Sequence, residues 1–320
     1  MQFGLTLPNR GVLMGAITAH QMLEMAEVAE RSRRFDFLWV GDSLFGKPRM
    51  ESVTLLAGLA ARTTRVRMGP ACMASFPLRD PVLLAYQWAS LDLLAGGRTV
   101  LVACTGIVPQ AGGEVEARVY GVTSKGRIER LVEWVTILKR LWTEDNVTFE
   151  GKHYRFQGVT IEPKPAARPR PPIWIANNST GPRATIEQTH RRVARHADGW
   201  MTSLSDPEDV AWRWRDVREK TREAGRDPDE LHTALYHNIN VNEDRDVALA
   251  ESKRFLDAYY MVDMPMARVA SWTASGSPQQ CIDHLRVYKQ IGFHSVGLRC
   301  TSWDQTKQLR RVIDEVLPFV

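Results

Sequence analysis

A strand followed by a helix, repeated about eight times along 320 residues, constrains this chain more than any other feature. QFGLTL opens as a strand, and from Thr18 the segment HQMLEMAEVAERSRR puts Met22, Met25, Ala26 and Ala29 on one helical face. FDFLWVG, VRMGPACMA, RTVLVACTG, IWIANN, DGWMTS, HTALYHNINV and SVGLRC read as the remaining strands. Helices are expected at ESVTLLAGLAART, at Pro81 to Leu94 before the stop at Gly96-Gly97, and at Lys125 to Trp142. Five more are expected at Pro182 to Arg195, Pro207 to Ala224, Val247 to Tyr260, Pro278 to Ile291 and Gln305 to Val316. Such alternation specifies an α/β fold with a parallel sheet. Eight units of this size match a (β/α)8 TIM barrel, and no G-x-G-x-x-G follows the first strand to favour a dinucleotide-binding sheet. The chain reads as one barrel domain over residues 1–320.

The rhythm breaks once. VTFEGKHYRFQGVTIEP alternates apolar and polar residues around Glu150-Gly151, which reads as a hairpin inserted between strands four and five. The connector PKPAARPRPP follows, too rich in proline for a helix. The stretch from Met261 to Ser275 reads as irregular.

A hydrophobic fraction of 44% and a charged fraction of 25% are those of an ordinary globular chain. The net charge of +5 comes from scattered residues; the densest group, Arg191, Arg192 and Arg195, reads as the wet face of a helix. Without a basic stripe or a recognition motif, no nucleic-acid partner is expected. No apolar run approaches the roughly 20 residues of a membrane span. MQFGLTLPN lacks the basic flank and long apolar region of an export signal, so a cytoplasmic location is expected. Cys72, Cys104, Cys281 and Cys300 form no C-x-x-C pair, so neither a structural metal site nor a disulfide framework is expected.

In a barrel the site is built where the strands end. The strand-end positions are Asp42-Ser43, Ala74-Ser75, Cys104-Thr105, Asn177-Asn178-Ser179, Thr202-Ser203, His237-Asn238 and Arg299-Cys300. Asn177, Asn178 and Ser179 precede a helix, where backbone N–H groups and short polar side chains form an anion cradle. The plainer alternative is that Ser179 or Thr180 caps that helix, as Asp42 or Ser43 would cap the one after strand two. His237 is a candidate substrate contact or acid/base group, because imidazole titrates near neutrality. Arg299 is the fixed cation of the set and Asp42 its acid. Trp39, Trp174 and Trp200 read as core, whereas Trp272 and Trp303 fall in loops that would wall a pocket.

Six stretches in order carry a further signal: RVRMGPACMASFPLRDPVLLAYQWASLDLLAGGRTVLVACTG, LKRLWTED, FEGKHYRFQGVTIEPKP, PPIWIANNS, ARHADGWM and GSPQQCIDHLRVYKQIGFHSVGLR. From about Phe3 to Phe319 the chain resembles the bacterial luciferase-like monooxygenase family. The resemblance implies a barrel that uses FMN or the deazaflavin coenzyme F420, usually as a homodimer. It places the cofactor phosphate at Asn177, Asn178 and Ser179, and it puts Asp42 and Ser43 against the ring and the substrate. It also makes Ser75, Cys104, Thr105 and Arg299 neighbours of the cofactor.

The leading expectation is a two-component monooxygenase, taking FMN reduced by a separate flavin reductase and passing one oxygen atom to a small organic substrate. One alternative is an F420-dependent dehydrogenase or reductase that exchanges a hydride. Another is a flavin-binding subunit without catalysis. FMN leads because Cys104 resembles the luciferase cysteine near the flavin's reactive carbon. Ser43 stands where many relatives carry histidine after the acid, and Gly106-Ile107 where others carry glutamate.

Overall fold

The structure, a computed structural model, describes residues 1–106 and 113–320. The first half runs β1 (Gln2–Leu7), α1 (Ala19–Ser32), β2 (Phe37–Val40), α2 (Ser52–Ala60), β3 (Arg67–Pro70), α3 (Pro81–Leu94) and β4 (Leu101–Ala103). After these come α4 (Gly113–Tyr120), α5 (Ser124–Thr143) and the antiparallel hairpin of β5 (Val147–Glu150) with β6 (Arg155–Val159). The second half runs β7 (Ile173–Ala176), α6 (Arg183–His196), β8 (Gly199–Thr202), α7 (Pro207–Glu223), β9 (His232–Val241) and α8 (Arg245–Tyr260). It ends with α9 (Met266–Ser271), β10 (Thr273–Gly276), α10 (Pro278–Ile291), β11 (Ser295–Cys300) and α11 (Gln305–Arg311).

Hydrogen-bonded neighbours run β3-β2-β1-β11-β9-β8-β7-β4, all parallel. The two ends meet: Met68 N donates to Arg98 O (2.9 Å), Val100 N to Met68 O (2.8 Å) and Met73 N to Val102 O (2.8 Å). These eight strands form the (β/α)8 TIM barrel expected from the alternation, and the hairpin lies between its fourth and fifth strands, β4 and β7. Glu133 of α5 docks the hairpin by accepting from the backbone N–H groups of Lys152 and His153, both at 3.0 Å.

The strands are apolar on both faces because both are covered. Leu38, Leu101, Ala103, Ile173 and Val296 pack outward into the main core beneath the helices. Phe37, Trp39, Val100, Val102, Trp174 and Met201 fill the lumen. Trp39 crosses the lumen over Gly4, where a Cβ would stand 2.3 Å from its Nε1. Capping residues fix where the helices begin: Thr18 and Gln21 form a capping box on α1, as Ser277 and Gln280 do on α10. The stretch read as irregular holds α9 and β10, which pairs with β9. Both are too short, and β10 too rich in small residues, to show a period.

Candidate active site

The carboxyl ends of the barrel strands open into a cavity of about 670 Å³. Its wall draws on the loops after β2, β3, β4 and β7, on one face of α6, and on Tyr236, Tyr260, Trp272 and Arg299. Small residues, Gly41, Ala71, Ala74, Gly106 and Ala176, leave room along its sides. Gly106 is held at φ +64°, and a Cβ there would lie 2.7 Å from Ala74 O, so the turn after β4 requires glycine.

Asp42 lies in the wall with its carboxylate committed inward. Oδ1 accepts from Ser52 Oγ (2.7 Å) and Arg79 Nη2 (3.3 Å), and Oδ2 from the backbone N–H of Ser75 (2.7 Å). The side chain is 2% exposed, and it ties the end of β2 to the start of α2 and to the turn after β3. Glu116 of α4 is spent in the same way. Its Oε1 accepts from the N–H groups of Leu44, Phe45 and Gly46 (3.1–3.2 Å), and its Oε2 from Arg127 Nη2 (3.3 Å).

A polar pole lies where β7 meets α6. The Asn178 carbonyl oxygen accepts from Thr202 Oγ1 (3.0 Å) and Ser203 N (2.7 Å), which leaves its amide N–H groups to the cavity. Asn177 donates to Thr189 and accepts from Ser179 N (2.8 Å). The N-cap of α6 is Pro182, and no side chain caps the helix, so neither Ser179 nor Thr180 plays that part. Thr185, Gln188, Thr189 and Arg192 follow at helical spacing on the cavity face. Arg192 therefore does not belong to a wet face, as its run of arginines implied; burial pushes its pKa down, and no carboxylate among the described residues pairs with it.

Cys72 and Cys104 are joined by a disulfide with their Cα atoms 6.1 Å apart, in the ordinary range for a bridge. This corrects the expectation of isolated thiols, which holds for Cys281 and Cys300 only. The bond links the ends of β3 and β4 at the cavity wall.

Of the residues singled out in the sequence, Asp42, Ser43, Cys104, Thr105, Asn177, Asn178, Ser179 and Arg299 line the cavity. Two do not. Ser75 is buried behind Asp42, with its Oγ accepting from Arg79 Nε (2.8 Å). His237 faces outward: β9 alternates, so Tyr236 points to the cavity and His237 to α10, where its Nε2 lies 2.8 Å from His284 Nε2. Trp272 walls the cavity, whereas Trp303 packs on Phe255 outside it. Two loops, Val108 to Thr123 and Met261 to Ser275, were expected to shape the pocket. Gly113 and Glu116 of the first and Val262 and Met264 of the second reach the lining, while Ile107 and the rest of 107–112 lie outside the described residues. Lys47, Arg49 and Arg192 were missed; only the α6 spacing signalled one of them.

Residues 1–295 match the profile of the luciferase-like monooxygenases. The chain belongs to that family. Among curated relatives, it is 28% identical to an F420-dependent glucose-6-phosphate dehydrogenase of Nakamurella multipartita, covering 91% of this chain and 90% of the relative. It is 29% identical to an FMNH(2)-dependent dimethylsulfone monooxygenase of Pseudomonas putida, over 63% of this chain and 53% of the relative. The solved structure of an F420-dependent secondary alcohol dehydrogenase superposes with a TM-score of 0.83 at 17% identity, covering 98% of each chain, a likeness of fold. This luciferase-like protein is thus an oxidoreductase of the flavin or deazaflavin type. Among the described residues no group of three or more His, Cys, Asp or Glu is placed to hold a metal, and no helix is long and apolar enough to cross a membrane.

The cavity fits such a cofactor. An uncapped helix start, the Asn178 amide and a guanidinium with no carboxylate partner among the described residues would suit an anion at one end. The small and apolar residues Ala71, Ala74, Ile175, Ala176 and Met201 offer a slot for a flat ring.

Proposed function

We propose that this luciferase-like protein is an F420-dependent reductase or dehydrogenase that exchanges a hydride with a small organic substrate. Supporting this above all is the alignment, over nine-tenths of the chain, with F420-dependent dehydrogenases. The FMN monooxygenase relative aligns over less of the chain, so the leading expectation from the sequence gives way to its alternative. When bound, the deazaflavin supplies a ring carbon that gives or takes a hydride. Asn178, Arg192 and the first N–H groups of α6 would hold its phosphate, and Trp272, Met201 and Tyr236 would keep water from the ring's surroundings.

Among the described residues of the lining, the groups left to hold a proton are the phenols and the Lys47 ammonium. No histidine lines the cavity, and both of its carboxylates are bonded into the wall. Tyr260 accepts from Arg299 Nη1 (2.7 Å), which leaves its own O–H to donate. Burial raises its pKa, so it stays protonated and suits polarising a substrate oxygen during reduction.

Titration with F420 and with FMN, followed by absorbance, tests the reading. F420 is expected to bind, and FMN to bind at least tenfold more weakly. Asn178→Ala and Arg192→Gln each remove a charge-assisted contact of roughly 1.5–3 kcal/mol, raising the F420 dissociation constant about tenfold or more. Tight FMN binding, with an oxygen adduct forming on the reduced complex, would restore the monooxygenase.

A further inference from the structure

Across the cavity from α6, Arg299 ends β11 with only 1% of its surface exposed. Its guanidinium lies 4.0 Å from the ring centre of Tyr259, 5.0 Å from Tyr236 and 5.4 Å from Tyr260. A guanidinium has five N–H donors. Within the described residues Arg299 makes one hydrogen bond, to Tyr260 Oη, and its Nε is buried without an acceptor. No carboxylate among those residues pairs with it.

Its charged neighbour is another cation. Arg49 lies 5.4 Å from the ring centre of Tyr259, with Nη1 3.5 Å from that tyrosine's hydroxyl, and it too lacks a carboxylate partner among the described residues. Space is reserved for it, since a Cβ on Gly41 would stand 2.1 Å from Arg49 Nη1. Burial first, and Arg49 second, push the Arg299 pKa well below its usual value. Burial, then Arg49 and Arg299, bring the nearby Lys47 down to about 8.

A guanidinium withdrawn from water is costly unless paired, and phenol faces return only part of that cost. Arg49, half-buried beside Arg299 at the cavity wall, adds repulsion that persists until an anion arrives. We propose that the substrate is an organic anion whose carboxylate, sulfonate or phosphate group is held by Arg299 and Arg49. The α6 pole cannot be the same site, because β9 and β8 separate β11 from β7 on one side of the ring, and β3 and β4 separate β2 from β7 on the other. The inference rests on the proposed function for assigning the α6 side to the cofactor.

Calorimetric titration with benzoate, benzenesulfonate, phenyl phosphate and neutral benzyl alcohol tests it, on cofactor-free and F420-loaded protein. At least one anion is expected to bind ten times more tightly than the alcohol. Arg299→Met should raise that anion's dissociation constant at least tenfold, while the constants for the alcohol and for F420 stay within twofold. Arg299→Lys should recover part of the loss. Because no ion pair is broken, the ligand-free Arg299→Met protein should melt at or above the wild-type temperature. Should that variant not fold, Arg49→Gln carries the same comparison. Equal binding of anion and alcohol overturns the proposal, as does an Arg299→Met protein that loses F420 rather than the anion. If F420 fails to bind while the preference for an anion persists without cofactor, the cofactor reading falls and the anion site stands.

Discussion

A carboxylate at the end of a barrel strand has the position of a catalytic group, and in Asp42 that position is used for construction. Three donors from two other segments converge on it, Ser52 Oγ, Ser75 N and Arg79 Nη2. In Asp42→Asn an amide group must face one of those donors, and an unmet buried donor costs about 1–3 kcal/mol. We expect a lower urea midpoint in Asp42→Asn, with weaker F420 binding as the turn after β3 loosens; a variant as stable as wild type would sink this account. The sequence showed that Asp42 ends a strand but not where its oxygens point. Asn177, Asn178 and Ser179 were legible because a strand ends and a helix begins around them. The pairing of Cys72 with Cys104 was not, since ring closure of β3 on β4 creates it across a sequence separation of 32. Arg192 hid in a run of arginines, of which Arg191 pairs with Glu187 on the outer side of α6.

At the scale of the element, β9 shows what periodicity can and cannot give. Its ten residues read as a strand, yet a period of two leaves the phase open, and phase decides whether His237 meets the cavity or the helices. It meets α10. His237 and His284 share one proton between their Nε2 atoms, and adding a second would set two N–H groups against each other. Burial first, then His284 and Arg268, hold the His237 pKa well below its usual value, and burial, then Arg245, brings His284 to about 4. His232, stacked on Trp174 in the lumen, is held at about 3, again by burial first. These pKa values are depressed by folding, so below about pH 6.5 the unfolded chain takes protons that the native state refuses. Stability is complete above that pH and falls as pH drops, by up to about 1.4 kcal/mol per pH unit for each imidazole. Urea midpoints should decline from pH 7 to pH 5, where most carboxylates remain ionised, and decline less in His284→Gln, which keeps a partner for His237 but removes one titrating group. A midpoint unchanged over that range would contradict the assignment.

On the scale of the whole molecule, the barrel was legible because eight apolar strands, each followed by a helix, have few ways to bury both faces of every strand. One helix, α3, is left unfinished by the barrel. Inward, α3 buries Leu84, Ala85, Trp88, Ala89 and Leu91. Outward it carries Leu83, Tyr86, Leu93 and Leu94, exposed at 54%, 45%, 44% and 65%. These four recur at helical spacing and form one stripe, and a helix apolar on both sides requires a second cover. We propose that the cover is the same stripe of a second copy, the homodimer expected from the family resemblance. A twofold contact uses each side chain twice. Full burial of a leucine contributes about 1.5–3 kcal/mol, and association costs an estimated 4–15 kcal/mol. The leucines are already about half covered, so the six of the two copies would add roughly 5–10 kcal/mol, within the range that association costs, with two tyrosines in addition. Equilibrium sedimentation should give twice the 36.3 kDa chain mass for the wild type. Leu83→Lys with Leu94→Lys should give one chain mass with an unchanged circular dichroism spectrum, because both side chains already face outward. A monomeric wild type at assay concentration would leave the stripe exposed and remove the dimer; a double variant that stays dimeric would move the interface off α3.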